Sequence, residues 1–105
     1  MIIYETGWRL TMSYAKGIKY AGLVKDGVPH GQGVMNYDDG GQYKGQWMNG
    51  KRQGQGTRTY STGSTYKGGW KNDIKHGKGV LTFVDGKIYD EEWDNGTCLI
   101  YNDYK

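Results

Sequence analysis

The chain has 105 residues and a formal net charge of +3 at pH 7, which is enough material for one domain. Its nineteen glycines disfavour helix, because each interior glycine costs about 1 kcal/mol relative to alanine, and its fifteen aromatic residues argue against disorder. Because the sequence has one cysteine, no signal peptide and no apolar run near ~18 residues, we expect an intracellular protein, cytoplasmic or cytoskeleton-associated, that is neither secreted nor membrane-spanning.

The first 19 residues resemble the second half of a unit that recurs along the rest of the chain. Met12, Tyr14 and Gly17 keep the spacing of that unit, whereas Leu10 lies where a glycine is expected. Terminal units of repeat proteins commonly deviate because they cap an exposed edge. We therefore predict that residues 1–19 form a partial N-terminal repeat or cap.

From residue 20 onward the sequence repeats with a period of 23 residues. Sixteen of the nineteen glycines and eleven of the fifteen aromatic residues fall into columns at this spacing, which chance does not produce. The most regular columns are Tyr20, Tyr43, Tyr66 and Tyr89, and Val24, Trp47, Trp70 and Trp93. We predict repeats at 20–42, 43–65 and 66–88, a fourth that starts at 89–96, and a C-terminal cap or tail at 97–105.

Both halves of each repeat alternate with period two, which is typical of β-strands. In one such half Tyr43, Gly45 and Trp47 share a face, and Asn49-Gly50 is a hairpin turn between the halves. The glycines on that face leave room for rings to lie across neighbouring strands. The predicted fold is all-β: an elongated, single-layer antiparallel meander of tandem 23-residue β-hairpins.

Residues 43–56 read YKGQWMNGKRQGQG and residues 66–79 read YKGGWKNDIKHGKG. This pattern resembles the MORN (membrane occupation and recognition nexus) repeat family over roughly residues 10–96. The resemblance implies an elongated, twisted antiparallel sheet with one hairpin per repeat. It also implies a scaffold role, since members commonly act in cytoskeletal, ciliary or other large assemblies.

A single-layer sheet has no second layer to cover its aromatic face, so we predict that a partner covers it. The expected partner is another protein, presented as a peptide or a helix, or a larger complex. A homodimer remains open, because both ends and both faces of the sheet are available. The predicted partner-binding residues on the aromatic face are Tyr43, Trp47, Tyr60, Tyr66, Trp70 and Phe83.

Positive charge is concentrated in the two central repeats, which carry +4 and +3, whereas residues 89–105 carry −4. Lys44 and Lys67 are predicted on the face opposite the rings, and Lys51, Arg52 and Lys75 in equivalent hairpin loops along one edge. Such a patch attracts an acidic protein segment, anionic lipid or nucleic acid, or serves only as a solvated face. The predicted patch comprises Lys44, Lys51, Arg52, Lys67, Lys71 and Lys75.

Nothing in the sequence supports catalysis, a cofactor or a metal site. His30 and His76 share a repeat column with Gln53, which indicates a repeat filler rather than a metal pair, and Cys98 has no positioned base. Nucleic acid is disfavoured by the modest net charge and the lack of a reader fold. We predict a non-catalytic scaffold for protein–protein interaction, a small subunit or adaptor of a cytoskeletal, ciliary or organellar assembly. Peripheral binding of anionic phospholipid membranes is the alternative.

Overall fold

The computed structural model describes residues 10–104, and these form one nine-stranded antiparallel sheet. The strands lie side by side in chain order, so each pairs only with its neighbours in sequence. This confirms the predicted all-β meander. The strands are β1 (Leu10–Ala15), β2 (Ile18–Lys25), β3 (Val28–Asn36), β4 (Gln42–Met48), β5 (Lys51–Thr59), β6 (Thr65–Lys71), β7 (Ile74–Thr82), β8 (Ile88–Asp94) and β9 (Thr97–Tyr104).

The two ends of the described chain are strands as well. β1 continues the meander in front of the first repeat, and Met12 lies opposite Tyr20. β9 pairs with β8 along its length, so the residues predicted as a C-terminal cap or tail complete a fourth hairpin. Residues 1–9 of the predicted N-terminal cap, and Lys105, lie outside the described residues.

Two residues with positive φ join the strands of each hairpin. Asn49 has a φ of 52° and Gly50 a φ of 83°. Positive φ at both central residues defines a type I′ turn, whose twist matches that of the flanking strands. The same geometry recurs at Asp26-Gly27, Asn72-Asp73 and Asn95-Gly96.

A β-bulge interrupts each hairpin close to its turn. In the second repeat Gly45 pairs with Gly56 but Trp47 pairs with Arg52, so the second strand has extra residues, and Gly54 among them has a φ of 79°. Bulges bend a strand and increase its twist. The ribbon therefore coils: the molecule measures 47 × 24 × 20 Å, although one flat sheet is only about 10 Å thick.

The coiled ribbon builds its core on one face, which we call the aromatic face. Tyr20, Tyr43 and Tyr66 are fully buried there, and each ring lies across the next strand over a glycine. A Cβ atom at Gly56 would lie 2.1 Å from the hydroxyl oxygen of Tyr43, and Gly79 has the same relation to Tyr66. Glycine is therefore required in this column, because any side chain there would collide with the tyrosine ring.

Candidate functional site

Five rings on the aromatic face form an alternating ladder of tyrosine and tryptophan. Centroid distances are 5.7 Å from Tyr20 to Trp47, 5.0 Å from Trp47 to Tyr43, 5.4 Å from Tyr43 to Trp70 and 5.5 Å from Trp70 to Tyr66. All four pairs are edge-to-face, which brings the positive edge of one ring to the negative face of the next. The ladder therefore links three successive repeats by side-chain contacts, in addition to the backbone hydrogen bonds of the sheet.

Hydrogen bonds satisfy the polar atoms of these buried rings. The Tyr43 hydroxyl donates to the Gln46 carbonyl at 2.9 Å, and the indole N–H groups of Trp47 and Trp70 each donate to a glycine carbonyl at 3.2 Å. Burial, and secondarily the nearby Glu91 carboxylate, raises the pKa of Tyr66 to about 12. Burial likewise raises the pKa of Tyr43. Both hydroxyls therefore remain neutral donors at physiological pH.

The burial of the ladder corrects one expectation about the partner site. Tyr43 and Tyr66 have no exposed surface, and Trp47 and Trp70 are only 5% and 6% exposed. A partner cannot seat on rings that already pack against one another. Of the six rings predicted to bind a partner, only Tyr60, which is half-buried, and Phe83, which is 36% exposed, remain accessible.

Three cations lie over rings of the aromatic face. Arg52 is 4.7 Å from the Trp70 ring centre, Arg58 is 4.4 Å from Tyr37, and Lys75 is 4.3 Å from Tyr66. Each distance falls within the range of cation–π attraction. Lys75 also lies 4.6 Å from Trp93, so it stands between Tyr66 and the tryptophan that would otherwise extend the ladder.

The predicted basic patch is divided between the two faces of the sheet. Arg52 lies opposite Trp47 and Lys75 opposite Trp70 in the strand register, and directly opposed residues project from the same face. Arg52 and Lys75 therefore belong to the aromatic face rather than to a patch shared with the lysines. The remaining four residues are exposed on the opposite face, which we call the lysine face: Lys44, Lys51, Lys67 and Lys71.

A groove runs along the aromatic face from β5 to β8, and we call it the basic groove. It is lined by Arg52, Arg58, Tyr60, Trp70, Lys75 and Trp93. Asp73 supplies its carboxylate and pairs with Arg52 at 3.1 Å. Arg58 and Trp93 also line this groove, although neither was among the site residues predicted from the sequence. The sequence did contain an indication for Arg58, because this cation occupies a repeat column in which the neighbouring repeats have the apolar residues Met35 and Leu81.

The histidine column has a structural role that the spacing alone did not reveal. Asn49 and Asn95 each begin a hairpin turn, and their backbone N–H groups donate to Nδ1 of His30 at 3.2 Å and of His76 at 3.0 Å. Gln53 accepts the equivalent bond at 3.0 Å through its side-chain oxygen. Each of these side chains therefore docks the turn of the following repeat.

The ladder stops before Trp93 because Glu91 differs from the repeat consensus. This residue replaces the repeat's glycine, is 6% exposed, and accepts a 2.9 Å hydrogen bond from the Trp93 indole. Trp93 consequently bonds within its own strand instead of to the preceding repeat. Among residues 10–104, no cluster of three His, Cys, Asp or Glu side chains is placed to hold a metal, and no helix is long and apolar enough to cross a membrane.

Comparison with known proteins agrees with this repeat geometry. A family model of the MORN repeat matches residues 20–42, 43–65 and 66–88, the same three units that the spacing defines. No curated protein matches the chain. The MORN repeat is a non-catalytic repeat type that generally serves as an interaction module for proteins or membranes. Because the matched repeats cover well over half of its residues, the chain belongs to the MORN repeat family.

Proposed function

We propose that the chain is a non-catalytic scaffold inside the cell that binds another protein along its aromatic face. It would act as a small subunit or adaptor of a larger cytoskeletal, ciliary or organellar assembly. The observation that carries this proposal is the set of accessible rings beside the buried ladder. Tyr60 and Trp93 are half-buried and Phe83 is 36% exposed, and cations lie among them.

These accessible side chains have the chemistry of protein-binding anchors. Tryptophan, tyrosine and arginine are the residues most enriched among the energetic centres of protein interfaces. The buried ladder beneath holds them in place, because Tyr60 and Trp93 pack directly against the core. A side chain that is ordered before binding loses less conformational entropy on association.

Site-specific photo-crosslinking tests the face on which the partner binds. A benzophenone amino acid at position 83 probes the aromatic face, and one at position 48 is the matched control, since Met48 is 50% exposed beside the lysine-face residue Lys51. In cell extract, we expect a partner protein to be crosslinked from position 83 and no partner protein to be crosslinked from position 48. Crosslinking from position 48 alone would refute the assignment of the face.

The alternative function is peripheral binding of anionic phospholipid through the lysine face. It is favoured by four exposed lysines on one side of the sheet, two of which, Lys44 and Lys67, flank Thr57 in register. Each basic residue near an anionic surface contributes about 1 kcal/mol. Flotation with anionic vesicles tests this alternative. If this face binds lipid, the double variant Lys44→Gln/Lys67→Gln should float less than the wild type, and high salt should reduce flotation of the wild type. Equal flotation of the double variant and the wild type would reject lipid binding by this face.

A further inference from the structure

We infer that the basic groove selects an acidic, extended peptide segment, whose carboxylates pair with Arg58 and Lys75 while its apolar side chains pack on Tyr60 and Trp93. The inference rests on the proposed protein-binding function and adds the chemistry of the partner. Its first support is the position of the cations within the repeat. Where other repeats carry Met35 and Leu81, the second repeat carries Arg58.

The same departure occurs in the column of Arg52 and Lys75. The first repeat has Pro29 at that position, and Pro29 is fully buried. Two central repeats thus place three cations on a face where the first repeat places apolar side chains. The first repeat builds its part of the ladder without these cations, so we attribute those that are not paired within the chain to a ligand.

The charge within the groove is only partly neutralised by the protein itself. The Arg52 side chain donates from Nε to one carboxylate oxygen of Asp73 and from Nη2 to the Asp73 carbonyl, and the Arg52 backbone N–H donates to the same carboxylate oxygen. Arg52 is therefore committed to the hairpin turn. Among the described residues, Arg58 and Lys75 have no carboxylate within ion-pair distance. The groove therefore offers two positive charges to a ligand.

Arg58 keeps most of its donors available for such a ligand. One Nη1 N–H donates to the Thr59 carbonyl at 2.7 Å, and a guanidinium group has five N–H donors. Its guanidinium carbon lies 4.4 Å from the centre of the Tyr37 ring, and the other N–H donors are left for a carboxylate. Hydrogen bonds between ionised partners are roughly twice as strong as those between neutral ones.

The two available charges lie beside the same ring. Arg58 and Lys75 lie 5.1 Å and 5.6 Å from the centre of the same Tyr60 ring. Side chains at positions i and i+2 of a strand project from one face about 7 Å apart. Glutamates at positions i and i+2 of an extended ligand can therefore face the two cations beside Tyr60, and an apolar side chain at position i+4 continues the same face of the peptide toward the rings.

Titration of the full chain with synthetic peptides tests this selectivity. The acidic probe is a 12-residue peptide with serine at the even positions; its odd positions repeat two glutamates followed by one leucine or phenylalanine, so that one face of the extended peptide carries both kinds of side chain. The control probe replaces each glutamate by glutamine. Binding is followed by tryptophan fluorescence, since Trp70 and Trp93 line the groove. We expect the acidic probe to bind at least about tenfold more tightly, as two charge-assisted contacts predict.

Matched double variants locate the binding site. Arg58→Met/Lys75→Met removes two charges from the groove, and methionine already occupies the column of Arg58 at Met35. Lys44→Met/Lys67→Met removes the same charge from the lysine face. We expect the first pair to weaken binding of the acidic probe about tenfold and the second to leave it within about twofold. Thermal melts verify that both variants are folded.

Equal affinity for the acidic and glutamine probes, or loss of binding in the lysine-face variant instead, overturns the inference. Failure of the acidic probe to bind does so as well. In each case crosslinking from position 83 decides separately whether a protein still binds the aromatic face. If the groove variant does not fold, the salt dependence of the wild type decides the question. An affinity for the acidic probe that stays unchanged between 50 and 500 mM salt would contradict charge pairing.

Discussion

At the scale of single residues, the glycine beneath each tyrosine ring decides whether the ladder forms. Gly56 needs no unusual φ, yet a Cβ there would overlap the Tyr43 ring, with the nearest atoms 2.1–2.4 Å away. Gly86 is the opposite case, because it has a φ of 92° and open space around it. Alanine substitutions at these two positions therefore distinguish the energetic cost of a steric clash with the ring from the cost of a strained backbone.

We expect Gly56→Ala to lower the free energy of unfolding by about 2–3 kcal/mol, since overpacking forces a buried ring to move. Gly86→Ala should cost about 1–2 kcal/mol, from the left-handed backbone alone. Urea denaturation of both variants measures the difference. A smaller loss for Gly56→Ala than for Gly86→Ala would show that the ring does not press on the glycine.

Burial of tyrosine hydroxyls predicts a loss of stability in alkali. The pKa of Tyr66 rises from 10 in the unfolded chain to about 12 in the fold, so the native state binds its proton more tightly. This contribution is complete below pH 10 and declines as the pH rises from 10 through 12. Denaturant midpoints at pH 8, 10 and 11 should fall in that order across this window.

Tyr66→Phe provides the control for the alkaline loss. Its hydroxyl donates only a long 3.4 Å bond to the Gly69 carbonyl, so the change should have little effect on stability at pH 8. The variant should lose less stability than the wild type between pH 8 and pH 11. Parallel losses in both proteins would exclude Tyr66 as a source of the alkaline effect.

At the scale of elements, each hairpin is joined to the one before it through its turn. The N–H of Gly50 donates to the Pro29 carbonyl at 2.9 Å, while the N–H of Asn49 donates to His30. The same backbone bond recurs from Asp73 to Arg52 and from Gly96 to Lys75. Stability of the array therefore depends on contacts between neighbouring hairpins, as in other repeat proteins.

Replacement of His76 tests this docking of turns. His76→Gln keeps an acceptor in the geometry that Gln53 already uses, so its free energy of unfolding should stay close to that of the wild type. His76→Ala removes the acceptor for Asn95 and should cost about 0.5–1 kcal/mol, since the site is partly solvated. Equal losses for both variants, measured by urea denaturation, would contradict the acceptor role.

Much of the hairpin architecture was predictable from the sequence, because Asn49-Gly50 and period-two alternation are strong local signals. The face of Arg52 and Lys75 was not, since both follow a turn so closely that they resemble loop residues. The two-residue turn places Lys51 already on a strand, and Arg52 then projects onto the aromatic face. Burial of Trp47 and Trp70 was also missed, because alternation gives the face of a residue but not the curvature that bulges impose.

At the scale of the whole molecule, the ribbon uses one face for both its core and its proposed binding surface. The ladder is closed in the free chain, with Trp47 and Trp70 bonded to glycine carbonyls, and the basic groove lies beside it. The ribbon can therefore bind a partner without opening its core. The lysine face remains available for a separate role or for solvation.

The most direct test of this account is a comparison of ¹⁵N NMR spectra of the full chain, free and saturated with the acidic peptide. We predict that the indole N–H signals of Trp47 and Trp70 stay protected from solvent exchange in both states, because their hydrogen bonds are retained. Shift changes should cluster at Arg58, Tyr60 and Lys75. Loss of protection at these two indoles on binding, or shift changes centred on Lys44 and Lys67, would contradict a closed ladder with its binding groove alongside.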